Sequence, residues 1–286
     1  LQLNKEHEFA IIEMGANHLH EIRNLCRIAE PDYGVITNIG KAHLEGFGSY
    51  EKVIQAKSEL YDFICNNNGT IFFNKDNPLL DKLVQQRNCN AYSYGSGNYA
   101  HCTGKMINSV PFLEIRKGNT LIKTQMTGKY NFENILASIC IGYFFDVPSS
   151  NIFGAIENFV PSNNRSQIVK TDTNELFLDA YNANPTSMYS ALENFAEINR
   201  EKKVIILGDM FELGKFSEEE HDKIIRTLHE FDFENVYLVG KEFMKTGTEK
   251  YPVFHNTREL INYIKNRPIK HSSVLIKGSR GMALGQ

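Results

Sequence analysis

The sequence predicts an α/β protein made of two successive units, with a β-rich portion inside the first. Three observations point there. Apolar runs alternate with segments of helical period up to about residue 74, the βαβαβ order of a parallel sheet. From about Asn90 to Met126 short alternating stretches broken by glycine replace that order. Beyond FVPSNNRSQ (159–167), where Pro, Ser and Asn cluster, the strand–helix alternation restarts.

In the first unit EFAIIE (8–13) is a short apolar run that reads as a buried strand. HEIRNLCRIAE (20–30) has helical spacing and stops before Pro31. YGVITN (33–38) is the next strand, a helix covers 51–64, and GTIFFN (69–74) is a third strand. FLEIRK and LIKTQM read as strands of the β-rich portion, and 131–145 and 150–159 as helices. In the second unit ELFLDA (175–180) is a strand, and Pro185 starts a helix to about Phe195. KVIILGD (203–209), a helix from Ser217, ENVYLVG, a helix near 257–265 and SSVLIKG complete the pattern.

The bulk numbers exclude several classes. The chain has 286 residues, enough for about two domains. A net charge of −3 gives no general basic field for nucleic acid. No apolar run approaches the roughly 20 residues of a membrane span, and no secretory pattern opens the chain. Five scattered cysteines without a C-x-x-C pair lead to the expectation of free thiols in a reduced, cytoplasmic protein. The chain opens on Leu and soon reaches an apolar run, which leads to the expectation of a piece from a longer protein.

Ligands of open α/β sheets bind at the carboxyl ends of the strands. Glu13 ends the first expected strand; Thr37 and Asn38 end the second, with His43 five residues on. Asp179 ends a strand before the amide-rich turn AYNANP; Asp209 ends the next; Lys277, Ser279 and Arg280 follow the last. Two polar rims result, which could face one cleft. Lys57 fills an inward position of a helix whose other inward positions are Val53, Leu60 and Ile64. It either snorkels to water or is a functional amine with a shifted pKa. Glu13 and His43 suit a divalent cation, or are a solvated strand end and a loop histidine. An ammonium cannot be a ligand, since it has no acceptor, so Lys57 would first have to change chemically. Asn182 and Asn184 fit turn and cap roles as well as ligand contact. Arg165, in the interdomain segment, is either a surface arginine or a reach towards an anion. A search for G-x-x-x-x-G-K-[ST] finds no phosphate loop.

EMGANHLHEI, TNIGKAHLEGFGSYEKVIQAKSEL, GKYNFENILASICIGYFF, DAYNANPTSM, ILGDMFELG and KGSRGMAL together resemble the Mur ligase family, most nearly its MurF type, from about Glu8 to Leu284. The resemblance implies most of a central ATPase domain over 1–164, without its phosphate loop, and a Rossmann-like C-terminal domain over 165–286. A UDP-binding domain and the loop would lie upstream, so ATP turnover by this chain alone is not expected. It implies a monomeric cytoplasmic ligase of peptidoglycan synthesis, using ATP and Mg2+, with UDP-N-acetylmuramoyl-tripeptide and D-alanyl-D-alanine as partners. Glu13, His43 and a carbamylated Lys57 match metal-holding positions. Asn131 and Asn134 match residues near the adenine, and Arg165 a residue at the nucleotide phosphates. Asp179, Asn182 and Asn184 match the strand-end motif that closes onto nucleotide and substrate. Asp209, Ser279 and Arg280 fall on the acceptor side. Another Mur or folylpolyglutamate-type ligase, or a binding or regulatory module without a phosphate loop, are the alternatives.

Overall fold

A computed structural model describes residues 4–41, 43–162 and 164–285. The first unit comprises α1 (Glu21–Ala29), β1 (Tyr33–Val35), α2 (Leu44–Phe47), α3 (Tyr50–Asn66), β2 (Thr70–Asn74), α4 (Pro78–Gln85), β3 (Asn90–Gly95), β4 (Cys102–Thr103), β5 (Lys105–Asn108), β6 (Glu114–Lys117), β7 (Thr120–Lys123), α5 (Tyr130–Phe144) and α6 (Ser149–Asn158). The second comprises β8 (Gln167–Lys170), β9 (Asn174–Asp179), α7 (Pro185–Glu197), β10 (Lys203–Gly208), α8 (Ser217–Glu230), β11 (Val236–Val239), α9 (Lys241–Lys245), β12 (Val253–Phe254), α10 (Thr257–Asn266) and β13 (Ser272–Lys277).

Three sheets form. Strands β1-β2-β3-β4 pair in parallel, β5-β6-β7 make a small antiparallel sheet, and the second unit orders its strands β12-β11-β10-β13-β9-β8. In that last sheet, among the described residues, only the β8–β9 edge pair is antiparallel. Strand periodicity sorts the core. Ile71 and Phe73 face one side of the first sheet, with α1, α3 and α4, while Phe72 and Tyr94 face α5 on the other. In β10, Ile205 and Leu207 pack towards α7 and α8, and Val204 and Ile206 towards α10. The mixed α/β fold class is as the sequence predicts. One buried cluster continues from Val53, Ile64 and Ile71 of the first unit to Met188, Leu192 and Leu213 of the second, so the units are packed together.

Local chemistry starts the helices that carry the rims. Ser49 caps α3 by accepting from Lys52 N–H at 3.4 Å. Asn184 and Ser187 form a reciprocal capping box at α7, with Pro185 in its first turn. Glu59, on α3, accepts from the N–H groups of His20 and Arg23 at 2.8 and 3.0 Å, tying the start of α1 to α3.

Two expectations are corrected. EFAIIE is not a strand: residues 8–13 have no ladder partner among the described residues, and Phe9 and Ile11 are 64% and 100% exposed. A strand needs a neighbour as well as an apolar run; Phe9 is held instead edge-on to Phe145, 5.0 Å between ring centres. The thiols are not all free, since Cys65 at the end of α3 pairs with Cys89 before β3, their Cα atoms 5.0 Å apart. Cys26, Cys102 and Cys140 are free and buried. A further difference concerns β3, which lies where the β-rich portion was expected to begin but extends the parallel sheet.

Candidate active site

The first rim surrounds the loop from β1 to α3. Lys57 lies on the inner face of α3, with Val53 and Ile64 fully buried one turn before it and two turns after. It is half-buried and has no ion-pair or hydrogen-bond partner among the described residues. Burial alone pushes its pKa below the ordinary lysine value. The ammonium thus gives up part of its hydration without gaining a partner among the described residues. His43 adopts a left-handed backbone, φ 54°, at the N-cap of α2. Its Nδ1 contacts the Glu212 carboxylate of the second unit. Glu13 is exposed, in the unpaired segment.

Glu13, His43 and Lys57 share no hydrogen bond or ion pair among the described residues. Nor do those residues gather three His, Cys, Asp or Glu side chains as a metal site would need. A magnesium set built on this rim therefore fits only if Lys57 itself becomes an oxygen donor.

The second rim is more fully connected. Lys277, 2% exposed, places Nζ 2.6 Å from Asp179 Oδ2 and 3.3 Å from each of the Asp179 and Asn182 carbonyl oxygens. Asp179 Oδ1 accepts from Ser166 N–H at 3.2 Å. The Ser166 hydroxyl pairs with Tyr130 at 2.6 Å and accepts from the Asn131 amide at 3.2 Å. Asn131 Oδ1 in turn accepts from Asn134 at 3.2 Å. Burial, followed by the nearby Asp179 charge, raises the Tyr130 pKa, so its hydroxyl stays neutral. One polar chain thus runs from α5 through the interdomain segment to the ends of β9 and β13. It unites four expected site residues: Asn131, Asn134, Asp179 and Asn182. Beside it a groove at the seam is lined by Lys129, Tyr130, Glu133, Ser190, Glu193 and Asn194.

Arg165 and Arg280 are exposed and converge on one ring. Their guanidinium carbons lie 3.8 and 5.7 Å from the centre of Tyr181. Neither has a carboxylate partner among the described residues, which leaves both charges for an anion. Asn184 is occupied as the α7 cap.

Asp209 and Ser279 are both buried and accept from backbone amides of the rim. Asp209 is 3% exposed, and its two oxygens accept from the N–H groups of Glu242 and Phe243, both at 3.0 Å. Gly240, at φ 128°, passes so close that a Cβ there would lie 2.1 Å from the Asp209 carboxyl carbon. Ser279, also 3% exposed, accepts from Phe211 N–H at 2.8 Å. These side chains brace the turns of the rim. Asp209→Ala is expected to cost about 2–3 kcal/mol of stability, since two buried amides lose a charged acceptor; chemical denaturation checks it.

Sequence reading placed Lys277 on the rim without a role, although a lysine closing the apolar run SSVLI was a signal. Tyr130, Ser166 and Tyr181 were missed. Their contacts span 36 residues between Tyr130 and Ser166, and no local pattern encodes that.

The units meet directly at the rims. Glu45 N–H donates to the Glu212 carbonyl at 3.0 Å, Lys41 Nζ lies 3.3 Å from Glu220, and Lys129 pairs with Glu197 at 2.5 Å.

Known proteins share this fold. The family model for the Mur ligase middle domain matches residues 1–142, and that for the Mur ligase glutamate ligase domain matches 164–280. The UDP-N-acetylmuramoyl-tripeptide–D-alanyl-D-alanine ligase of Bacillus subtilis (strain 168) is 30% identical over 99% of this chain, which spans 64% of that relative's length. A crystal structure of MurF from Acinetobacter baumannii superposes with a TM-score of 0.87 at 27% identity, over 99% of this chain and 64% of its own. The MurF ligase of Thermotoga maritima in complex with ADP, at 23% identity and a TM-score of 0.81, shares the fold over 95% of this chain and 64% of its own. With a match to each of its two units and relatives aligned along nearly its whole length, the chain belongs to the Mur ligase family.

Proposed function

We propose that this chain carries the ATPase and acceptor portions of a cytoplasmic, monomeric ligase that adds D-alanyl-D-alanine to UDP-N-acetylmuramoyl-tripeptide in peptidoglycan precursor synthesis. One observation carries the reading: two polar rims, one with a desolvated lysine and one with two arginines, all three without an ion-pair partner among the described residues, meet at a packed seam. The similarity to relatives named for this reaction supports the choice of substrates. The units divide at 164/165 in this reading.

A terminal carboxylate oxygen of the tripeptide attacks the γ-phosphorus of ATP, and ADP departs. The amine of D-alanyl-D-alanine then attacks the acyl phosphate carbon, loses its proton, and phosphate leaves as the amide forms. Asn131 and Asn134 lie towards the adenine, and Arg165 neutralises phosphate charge. The Asp179–Lys277 pair holds the turn carrying Asn182 against the nucleotide. Asn184 starts α7 beside it, and Arg280 takes the acceptor carboxylate, with Asp209 and Ser279 holding the turns around it. Glu13, His43 and a Lys57 carbamate would hold Mg2+, which when bound neutralises phosphate oxygens. The packed seam excludes water from the acyl phosphate.

The native gene product, given ATP, magnesium, the nucleotide tripeptide and D-alanyl-D-alanine, is expected to release one ADP and one phosphate per amide formed. Glutamate or single amino acids should not replace the dipeptide. Amide formation with glutamate but not the dipeptide would overturn the substrate assignment, and no nucleotide turnover with any amine would overturn the ligase.

A further inference from the structure

Glu212, in the turn after β10 (motif LGDMFELG), has no role in the reading above, yet it contacts the first unit through both its carbonyl and its carboxylate. It is a non-glycine residue at φ 62°. That conformation is uncommon for a residue other than Gly, Asn or Asp, and it persists where the surroundings over-determine it. His43, which Glu212 touches, is also left-handed, at φ 54°. Two strained residues from different units therefore meet side chain to side chain.

The surroundings fix the meeting. The Glu212 carbonyl accepts from Glu45 N–H at 3.0 Å, and Glu45 packs on Gly214. Behind the turn, His221 is fully buried; its Nε2 accepts from Met210 N–H at 3.0 Å, and its Nδ1 donates to the Ser217 carbonyl at 2.7 Å. Ser279 accepts from Phe211 N–H at 2.8 Å. The backbone on both sides of Glu212 is thus anchored within the second unit, while its carbonyl and carboxylate both point to the first. His43 Nδ1 is itself buried and has no aligned hydrogen-bond partner among the described residues, so the Glu212 carboxylate beside it is the acceptor within reach of a small rotation of the ring.

We propose that Glu212 is a positioning residue for His43. Its carboxylate holds the Nδ1–H side of the imidazole, which leaves Nε2 to face the site. Because Glu212 belongs to the second unit, the imidazole is fixed only when the two units are packed as here, so closure and readiness of the first rim become one event. This rests on the reading of His43 as a site residue.

The test uses Glu212→Gly in the native gene product, with Glu212→Asn as a second variant that also tolerates the left-handed backbone. Both should fold with an unchanged or higher melting temperature, since the strain at φ 62° is relieved. Turnover should nevertheless fall by about 10- to 100-fold, the usual loss when the partner of a site histidine is removed. KM for ATP and for the dipeptide should stay within about twofold of native. Nitrogen-resolved NMR of the His43 ring should show the native Nδ1–H tautomer replaced by exchange between tautomers. Native turnover in both variants, an unchanged His43 spectrum, or an activity loss that tracks loss of folded protein would each overturn the role. His43→Ala separates the two readings. If it is inactive while Glu212→Gly is active, only the positioning role fails. If His43→Ala is itself fully active, the site assignment fails.

Discussion

Lys57→Met is expected to abolish turnover of the native gene product, by about a thousandfold or more, while the protein folds as well as or better than before. The functional half follows from the donor set. Glu13 and His43 cannot complete a cation site alone, and an ammonium adds no acceptor. Only a neutral amine adds CO2, losing a proton to become an anionic carbamate. Burial favours the neutral amine by lowering the Lys57 pKa. Loss of a metal that stabilises transition-state charge by several kcal/mol corresponds to about that factor in rate. The stability half has a definite sign. A lysine with a lowered folded-state pKa binds its proton more tightly when unfolded, so its desolvation penalty is fully present below the folded pKa and fades as pH rises towards the unfolded value. Methionine removes the penalty, so the variant should be more stable than the unmodified, bicarbonate-free protein at neutral pH and lose that advantage at alkaline pH. Lys57→Arg, permanently charged, should lose activity without gaining stability. Carbon-13 NMR with labelled bicarbonate checks the chemistry directly: a carbamate resonance is expected in the native protein and absent in both variants. A fully active Lys57→Met protein would sink the carbamate reading, whatever its stability.

The same lysine shows how far the sequence alone could be read. Its inward place was visible because an α-helix repeats every 3.6 residues, and the interruption of Val53, Leu60 and Ile64 by a charge is a local fact. Asn184, Pro185 and Ser187 announced the start of α7 for the same local reason. The second sheet was legible because its strands are buried on both faces and therefore nearly continuous in apolar residues, as in KVIILG. What failed depended on partners distant in the chain. EFAIIE has the composition of a strand, but pairing is a property of two segments, and among the described residues it has no second one. Cys65 and Cys89, 24 residues apart, meet only because α3 ends where β3 begins. At the site, residue types at strand ends were readable, whereas their tasks were not. Asp209 and Asp179 end equivalent strands, yet Asp209 holds two backbone amides while Asp179 meets a buried lysine.

That pair carries the largest expected effect on stability. Lys277→Met should cost about 3 kcal/mol, the low end of the loss on stranding one member of a buried charge pair, because the Asp179 side chain stays 20% exposed. Lys277 has almost no exposed surface, and all three of its donor contacts go to Asp179 and Asn182. Methionine matches much of its length but leaves two carbonyls and a carboxylate oxygen without their donor, with only Ser166 N–H still on Asp179. Asp179→Asn strands the opposite charge and should cost a similar amount, since the ammonium then keeps only neutral acceptors. The double variant Asp179→Asn/Lys277→Met removes both charges together. It should therefore be markedly more stable than the sum of the single losses predicts, with a coupling of about 2 kcal/mol or more in the double-mutant cycle. Urea denaturation of the four proteins gives that number. The double variant also separates fold from function. It should restore the polar chain from β9 to α5 enough to fold, yet leave the Asn182 carbonyl unheld, so turnover should remain low where stability has recovered. Additive single losses would show that the ammonium and carboxylate act independently. A double variant with native turnover would show that the pair serves the fold alone.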